Sequence, residues 1–135
     1  MTKRQFAAAI AALVVICLPT LASADDGLKY ENLIHCAATN IVVASVLSLD
    51  DGETKNKTEI ETYRTQAASL MVIATLGSTK DSKMVQADVS TESDKLINIL
   101  DDKTKSGTFI EQDVPTCNDL GKAAVQVVND ARAGK

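Results

Sequence analysis

Residues 30–49 (YENLIHCAATNIVVASVLSL) constrain the fold more than any other part of the chain. At about 100° per residue, Tyr30, Leu33, Ile34, Ala37, Ala38, Ile41, Ala44 and Ser48 share one broad helical face. Cys36, Val43 and Leu47 form a second apolar stripe well away from the first. A helix with two apolar sides is packed on two sides, so this element belongs at the centre of an all-α bundle. The β-branched run Ile41, Val42, Val43 lowers helix propensity, and residues 41–49 taken alone also fit a buried strand.

Upstream, Lys3 and Arg4, an apolar run over residues 6–18 and the small residues Ala22-Ser23-Ala24 have the order of a secretory signal peptide cleaved after Ala24. The apolar run is short for a membrane span, which needs about 20 residues. Cys17 follows the bulky Val14-Val15-Ile16, unlike a lipid-anchored cysteine. Residues 25–135 are then expected to form a single all-helical domain.

Two cysteines remain, Cys36 and Cys117, separated by 81 positions. An oxidising compartment pairs them by default. A cross-link closing so long a loop contributes roughly 4 to 5 kcal/mol in the chain-entropy view. No Cys-x-x-Cys spacing or neighbouring basic cluster marks them as a reactive pair.

Further helices follow at regular intervals. Residues 50–57 (DDGETKNK) read as an exposed, mobile loop, within which Asn56-Lys57-Thr58 has the form of a glycosylation acceptor. Thr58 and Glu61 make a capping box, and Ile60, Tyr63, Ala67, Leu70, Met71 and Ala74 recur at helical spacing up to Gly77, placed to supply a left-handed stop. The short link over residues 77–81 turns a third helix back antiparallel. That helix carries Met84, Val85, Val89, Leu96, Ile97, Ile99 and Leu100, with a break or kink predicted at Ser90-Thr91-Glu92-Ser93 and fraying towards Ser106-Gly107. Phe109 and Ile110 are expected to pin residues 108–114 as a short extended piece. Cys117, Leu120, Ala124, Val127, Val128 and Ala131 then make a fourth amphipathic helix, with Thr116 and Asp119 as a capping pair. The bundle therefore has four helices, or five if the third is broken.

The disulfide restricts the topology. In an up-down-up-down bundle the start of the fourth helix lies beside the end of the first. Cys36 precedes that end by about a dozen residues, a mismatch of roughly 18 Å against a disulfide Cα separation of at most about 7 Å. The fourth helix must start halfway along the first, or run parallel to it or across it. The second stripe favours the parallel or crossed course, with Val43 and Leu47 facing Leu120 and Ala124 and residues 103–115 as the crossover.

The chemistry is sparse. All 18 acidic residues follow Ala24, whereas two of the 14 basic ones, Lys3 and Arg4, precede it. A chain so acidic repels phosphate backbones and anionic lipid, so neither nucleic acid nor stable membrane insertion is expected. His35, the single histidine, lies about 120° from the centre of the first face, on the side away from Cys36, without a recognisable sequence partner. Asp50-Asp51-Gly52-Glu53 lacks the spacing of a calcium loop. Tyr30, Tyr63, Met71 and Met84 read as core. No catalytic, cofactor-binding or metal-ligating set is expected.

In format, an exported acidic all-helical domain with one disulfide, the chain is similar to the small periplasmic acid-stress chaperones, although it lacks the tryptophan expected near the first cysteine of that family. The leading expectation is a non-enzymatic periplasmic protein that binds an unknown protein partner as an accessory, inhibitor or immunity-type factor. An acid-stress chaperone and a carrier of a small apolar ligand are the alternatives. Mass spectrometry of the secreted protein without reductant checks the processing: the mass should begin at Asp25 and lack two hydrogens. A chain that begins at Met1, or carries two free thiols, contradicts it.

Overall fold

The computed structural model describes residues 29–134, so the predicted signal peptide lies outside the described residues. Six α-helices make up most of the domain: α1 (Tyr30–Leu47), α2 (Gly52–Lys55), α3 (Lys57–Leu76), α4 (Ser82–Asp101), α5 (Ser106–Thr108) and α6 (Val114–Arg132). A π-helical segment, Phe109–Asp113, joins α5 to α6, so residues 106–132 form one helical path. Among the described residues there is no strand, and residues 41–49 are helical up to Leu47.

α1 is the central element. Leu33, Ile34, Cys36, Ala37, Ala38, Val42 and Ala44 are buried, as are Thr39 and Asn40, so its middle is enclosed nearly all round. α3, α4 and α6 all pack on it. Leu70, Ile73, Ala74, Val85, Val89, Leu96, Phe109, Cys117, Ala124, Val127 and Val128 complete the apolar core.

The reversal after α1 is largely exposed, as expected, but it holds the short helix α2 and specific contacts in place of a plain loop. Asp50 adopts a left-handed conformation with φ 56°. Gly52 is buried where a Cβ would stand 1.9 Å from the Leu47 carbonyl oxygen. Asn56 Nδ2 donates to that same carbonyl at 3.0 Å, satisfying a helix-end acceptor that would otherwise lack a partner. The acceptor-like Asn56 is thus engaged, and because it takes the N-cap position, Thr58 lies inside α3 and the expected capping box does not form. α3 ends at Gly77 as expected, but in a right-handed conformation, φ −88° and ψ 0°, rather than a left-handed one.

α4 starts at Asp81, whose side chain accepts from the Met84 N–H at 2.9 Å. It runs unbroken through Ser90–Ser93, contrary to the predicted kink. Thr91 and Ser93 turn their hydroxyls back onto the carbonyls of Ala87 and Val89, so they neither cap a new helix nor compete for backbone partners. After α4, Asp102 accepts from both the N–H and the hydroxyl of Thr104. Residues 108–114 are helical instead of extended. Phe109 is the one of them fully buried and Val114 is half-buried against the core, with Ile110 left 55% exposed. The wide π turn also has a geometric effect: it absorbs about one residue, so Phe109 and Cys117, which an ideal α-helix would set roughly 80° apart, come onto one buried face. Pro115, which has no N–H to donate, follows one residue later as the second residue of α6.

Helix directions follow from the cross-contacts. Tyr30 meets Asp88 and His35 meets Glu92, so α1 and α4 advance in the same sense. The Cys36–Cys117 disulfide has a Cα separation of 4.7 Å. One turn further on, Asn40 Nδ2 reaches the Cys117 carbonyl, and a Cβ at Gly121 would lie 2.9 Å from Asn40 Nδ2. α6 therefore also advances in the sense of α1, with residues 102–113 as its crossover. Gln66 of α3 closes this junction by donating to Asn118 Oδ1 at 3.1 Å.

Gly121 is the residue that lets the three helices approach. A Cβ there would stand 2.7 Å from Gln66 Cβ and 2.8 Å from Gln66 Oε1. Gly121→Ala is expected to destabilise the domain by about 1 to 3 kcal/mol, the cost of overpacking a close-packed site. Urea unfolding of the oxidised protein measures it, and an unchanged midpoint would contradict the close approach.

Candidate functional site

The densest cluster of titratable side chains spans α1, α4 and the π segment. His35 is on the flank of α1, with its side chain 32% exposed, and has a carboxylate at each ring nitrogen. Nδ1 lies 2.9 Å from Glu92 Oε1 and Nε2 lies 3.4 Å from Asp113 Oδ2. Glu92 Oε2 also pairs with Lys95 at 3.4 Å. The hydrogen bond to His35, followed in size by that to Lys95, holds the Glu92 carboxyl below the usual carboxylate range despite partial burial. Neither carboxylate was identifiable as a partner from sequence, because they lie 57 and 78 positions from the histidine.

A second cluster continues the same face towards the start of α1. Tyr30 donates its hydroxyl to Asp88 Oδ2 at 2.7 Å, and Lys80 Nζ meets the same oxygen at 2.5 Å while lying 4.6 Å from the Tyr30 ring centroid. The bonds from Lys80 and Tyr30 hold the Asp88 carboxyl low. Burial, then the bond to Asp88, raises the Tyr30 hydroxyl above its ordinary value. Tyr30, Ile34, His35, Asp88, Glu92 and Lys95 line an open groove of about 400 Å³ between α1 and α4.

A different groove opens between α3 and α4. It is apolar, about 390 Å³, and lined by Ala68, Met71, Val72, Leu76 and Val85 with Thr75, Ser82 and Gln86 at its rim. Met84, expected in the core, is 51% exposed. Met71, Val72 and Leu76 are half-buried against the core.

The predicted disulfide-side residues are distributed as follows. Cys36 and Cys117 are bonded and buried. Ala124 is buried, and Leu120 is half-buried against the core. Val43 and Leu47 are half-buried. Asn40, which sequence reasoning passed over, contacts α6 on that side of α1 and is fully buried. Its Oδ1 and Gln66 Oε1 are buried without a hydrogen-bond partner. In the α1–α3 reversal, Asp51 pairs with Lys55 and Glu53 with Arg64.

No protein-family model, curated protein or solved structure matches the chain. The geometry alone carries the functional reading. Among the described residues no helix is long and apolar enough to cross a membrane.

A carboxyl held low in the folded state stabilises above its ordinary range, and that contribution is lost as pH falls through the folded value. Glu92→Gln should therefore lower stability by about 1 kcal/mol at neutral pH, the scale of a part-exposed charged hydrogen bond. The deficit should vanish as the solution is acidified below about pH 4, where wild-type carboxylates protonate too. Urea unfolding of both proteins over a pH series tests this. Stability curves that remain parallel into acid would contradict it.

Proposed function

We propose that this is a non-enzymatic exported protein of the periplasm, processed after Ala24, that works by binding another protein in an accessory, inhibitory or immunity-type role. The apolar groove between α3 and α4 carries the reading. Such surfaces on a small domain mark sites where a partner contributes the missing apolar contact. The non-enzymatic reading is supported by what the titratable groups do: both nitrogens of His35 are occupied by carboxylates that belong to neighbouring elements. The disulfide suits an oxidising compartment.

An acid-stress chaperone is the second reading. It is favoured by the carboxyls of Asp88, Glu92 and Asp102, all held low by interactions that acid removes. A domain that stays compact and binds no apolar dye below about pH 3 would rule it out.

A photo-cross-linking residue placed at Gln86, on the groove, in the native host tests the binding reading. It should capture one discrete protein several-fold more strongly than the same residue at Lys122 on α6. Equal or absent capture at the two positions would overturn the assignment of the groove. Native mass spectrometry separates the carrier alternative, which requires a small non-protein mass travelling with the monomer.

A further inference from the structure

We propose that His35 is a pH-sensitive clasp that holds the crossover segment, residues 102–113, against α1 and α4 in mildly acidic solution and releases it as the imidazole loses its proton. The argument is one of donors and acceptors. A neutral imidazole has one N–H and one lone pair, whereas the imidazolium has two N–H groups. His35 has a carboxylate oxygen at each nitrogen, 2.9 Å away on α4 and 3.4 Å away at the end of the π segment. Nδ1 hydrogen-bonds Glu92, whereas Nε2 and Asp113 stand at ion-pair distance, an attraction that exists only while the ring is an imidazolium. Once neutral, the ring points a lone pair at one of two anions.

The two arms are unequal, and this decides which one opens. Glu92 shares its charge with Lys95, and its oxygen is the closer to the ring. Among the described residues, His35 is the ion-pair partner of Asp113, which is 41% exposed and can turn to water. Deprotonation therefore leaves the Nδ1–H on Glu92 and releases Asp113. The other charged groups around the ring are Glu31, one turn earlier on α1, Asp88, one turn earlier on α4 and paired with Lys80, and Lys95, paired with Glu92.

The segment so controlled is one that opens easily. It consists of a turn, the three-residue α5 and a π-helical stretch, whose hydrogen-bond geometry is poorer than that of an α-helix. Phe109 is its one buried side chain, and the exposed Ile110 adds little hold. With the clasp open, Phe109 alone ties the crossover to the core. At the acid extreme the carboxylates lose their charge and the clasp opens again, so closure has a bell-shaped dependence on pH. This histidine is the only one in the chain. Both cysteines of the domain are bonded. No other described side chain ordinarily titrates between about pH 5.5 and 7.5.

Amide exchange measured by NMR on the oxidised protein, expressed as protection factors, tests the clasp. Protection of the Phe109–Asp113 amides should peak between about pH 5 and 6 and fall at least threefold by about pH 8, while that of the α3 core amides stays level. In His35→Gln, which never charges, the fall should be absent. A level wild-type profile, or a fall that persists in the variant, overturns the proposal. Should the variant not fold, wild-type carboxyl ¹³C shifts decide instead. The Asp113 resonance must move with the midpoint of the imidazole resonances, and an Asp113 signal that ignores that midpoint overturns the clasp.

Discussion

The junction at Cys36 and Cys117 is the constraint on which the rest of the structure depends. A covalent bond 81 residues apart in sequence reaches the second turn of α1 from the first turn of α6. Two helices held that close can continue along each other only where side chains are small or absent. Gly121 meets this need by facing Asn40 and Gln66 where a Cβ has no room. The bond and the glycine together set the course of α6, and its course requires a crossover from the end of α4. The crossover in turn covers a flank of α1 that a simple four-helix meander would leave to a neighbouring helix.

Polar and apolar interactions are divided between two sides of the domain. On the α1–α4 side, Tyr30, Lys80 and Asp88, then His35, Glu92 and Asp113, tie three elements together with partly exposed hydrogen bonds and ion pairs. Each such contact is individually weak in water, so together they set orientation more than they add stability. On the α3–α4 side the helices part to leave Met71, Val72 and Leu76 half-covered. One side of α4 is thus fixed by charge while the other presents apolar surface, and both functional readings rest on that asymmetry.

Side chains with two local options were where sequence reasoning went astray. Thr91 and Ser93 have the composition of a helix start, yet within an established helix the same hydroxyls bond back to preceding carbonyls and leave it intact. Val89 and Leu96, buried on either side of that polar stretch, supply the packing that decides the outcome. Asn56 displaced Thr58 as the cap because the preceding turn at Gly52–Lys55 delivers it to the end of α1. The π segment gave no periodic signal because its one buried residue, Phe109, is brought into register with Cys117 only by the absorbed residue. His35 looked partnerless for a related reason, since both its carboxylates come from elements placed by the fold.

The sequence by itself determined the all-helical class, the centrality of α1, the pairing of Cys36 with Cys117 and the parallel or crossed course of α6. These depend on local periodicity and on covalent reach, which a chain carries wherever it folds. The tertiary structure alone decided that His35 faces Glu92 and Asp113, that Asn40 and Gln66 meet over Gly121, that Met84 is exposed and that an apolar groove opens between α3 and α4. Those outcomes depend on the rotation and separation of helices distant in sequence, which are set when the whole core packs at once.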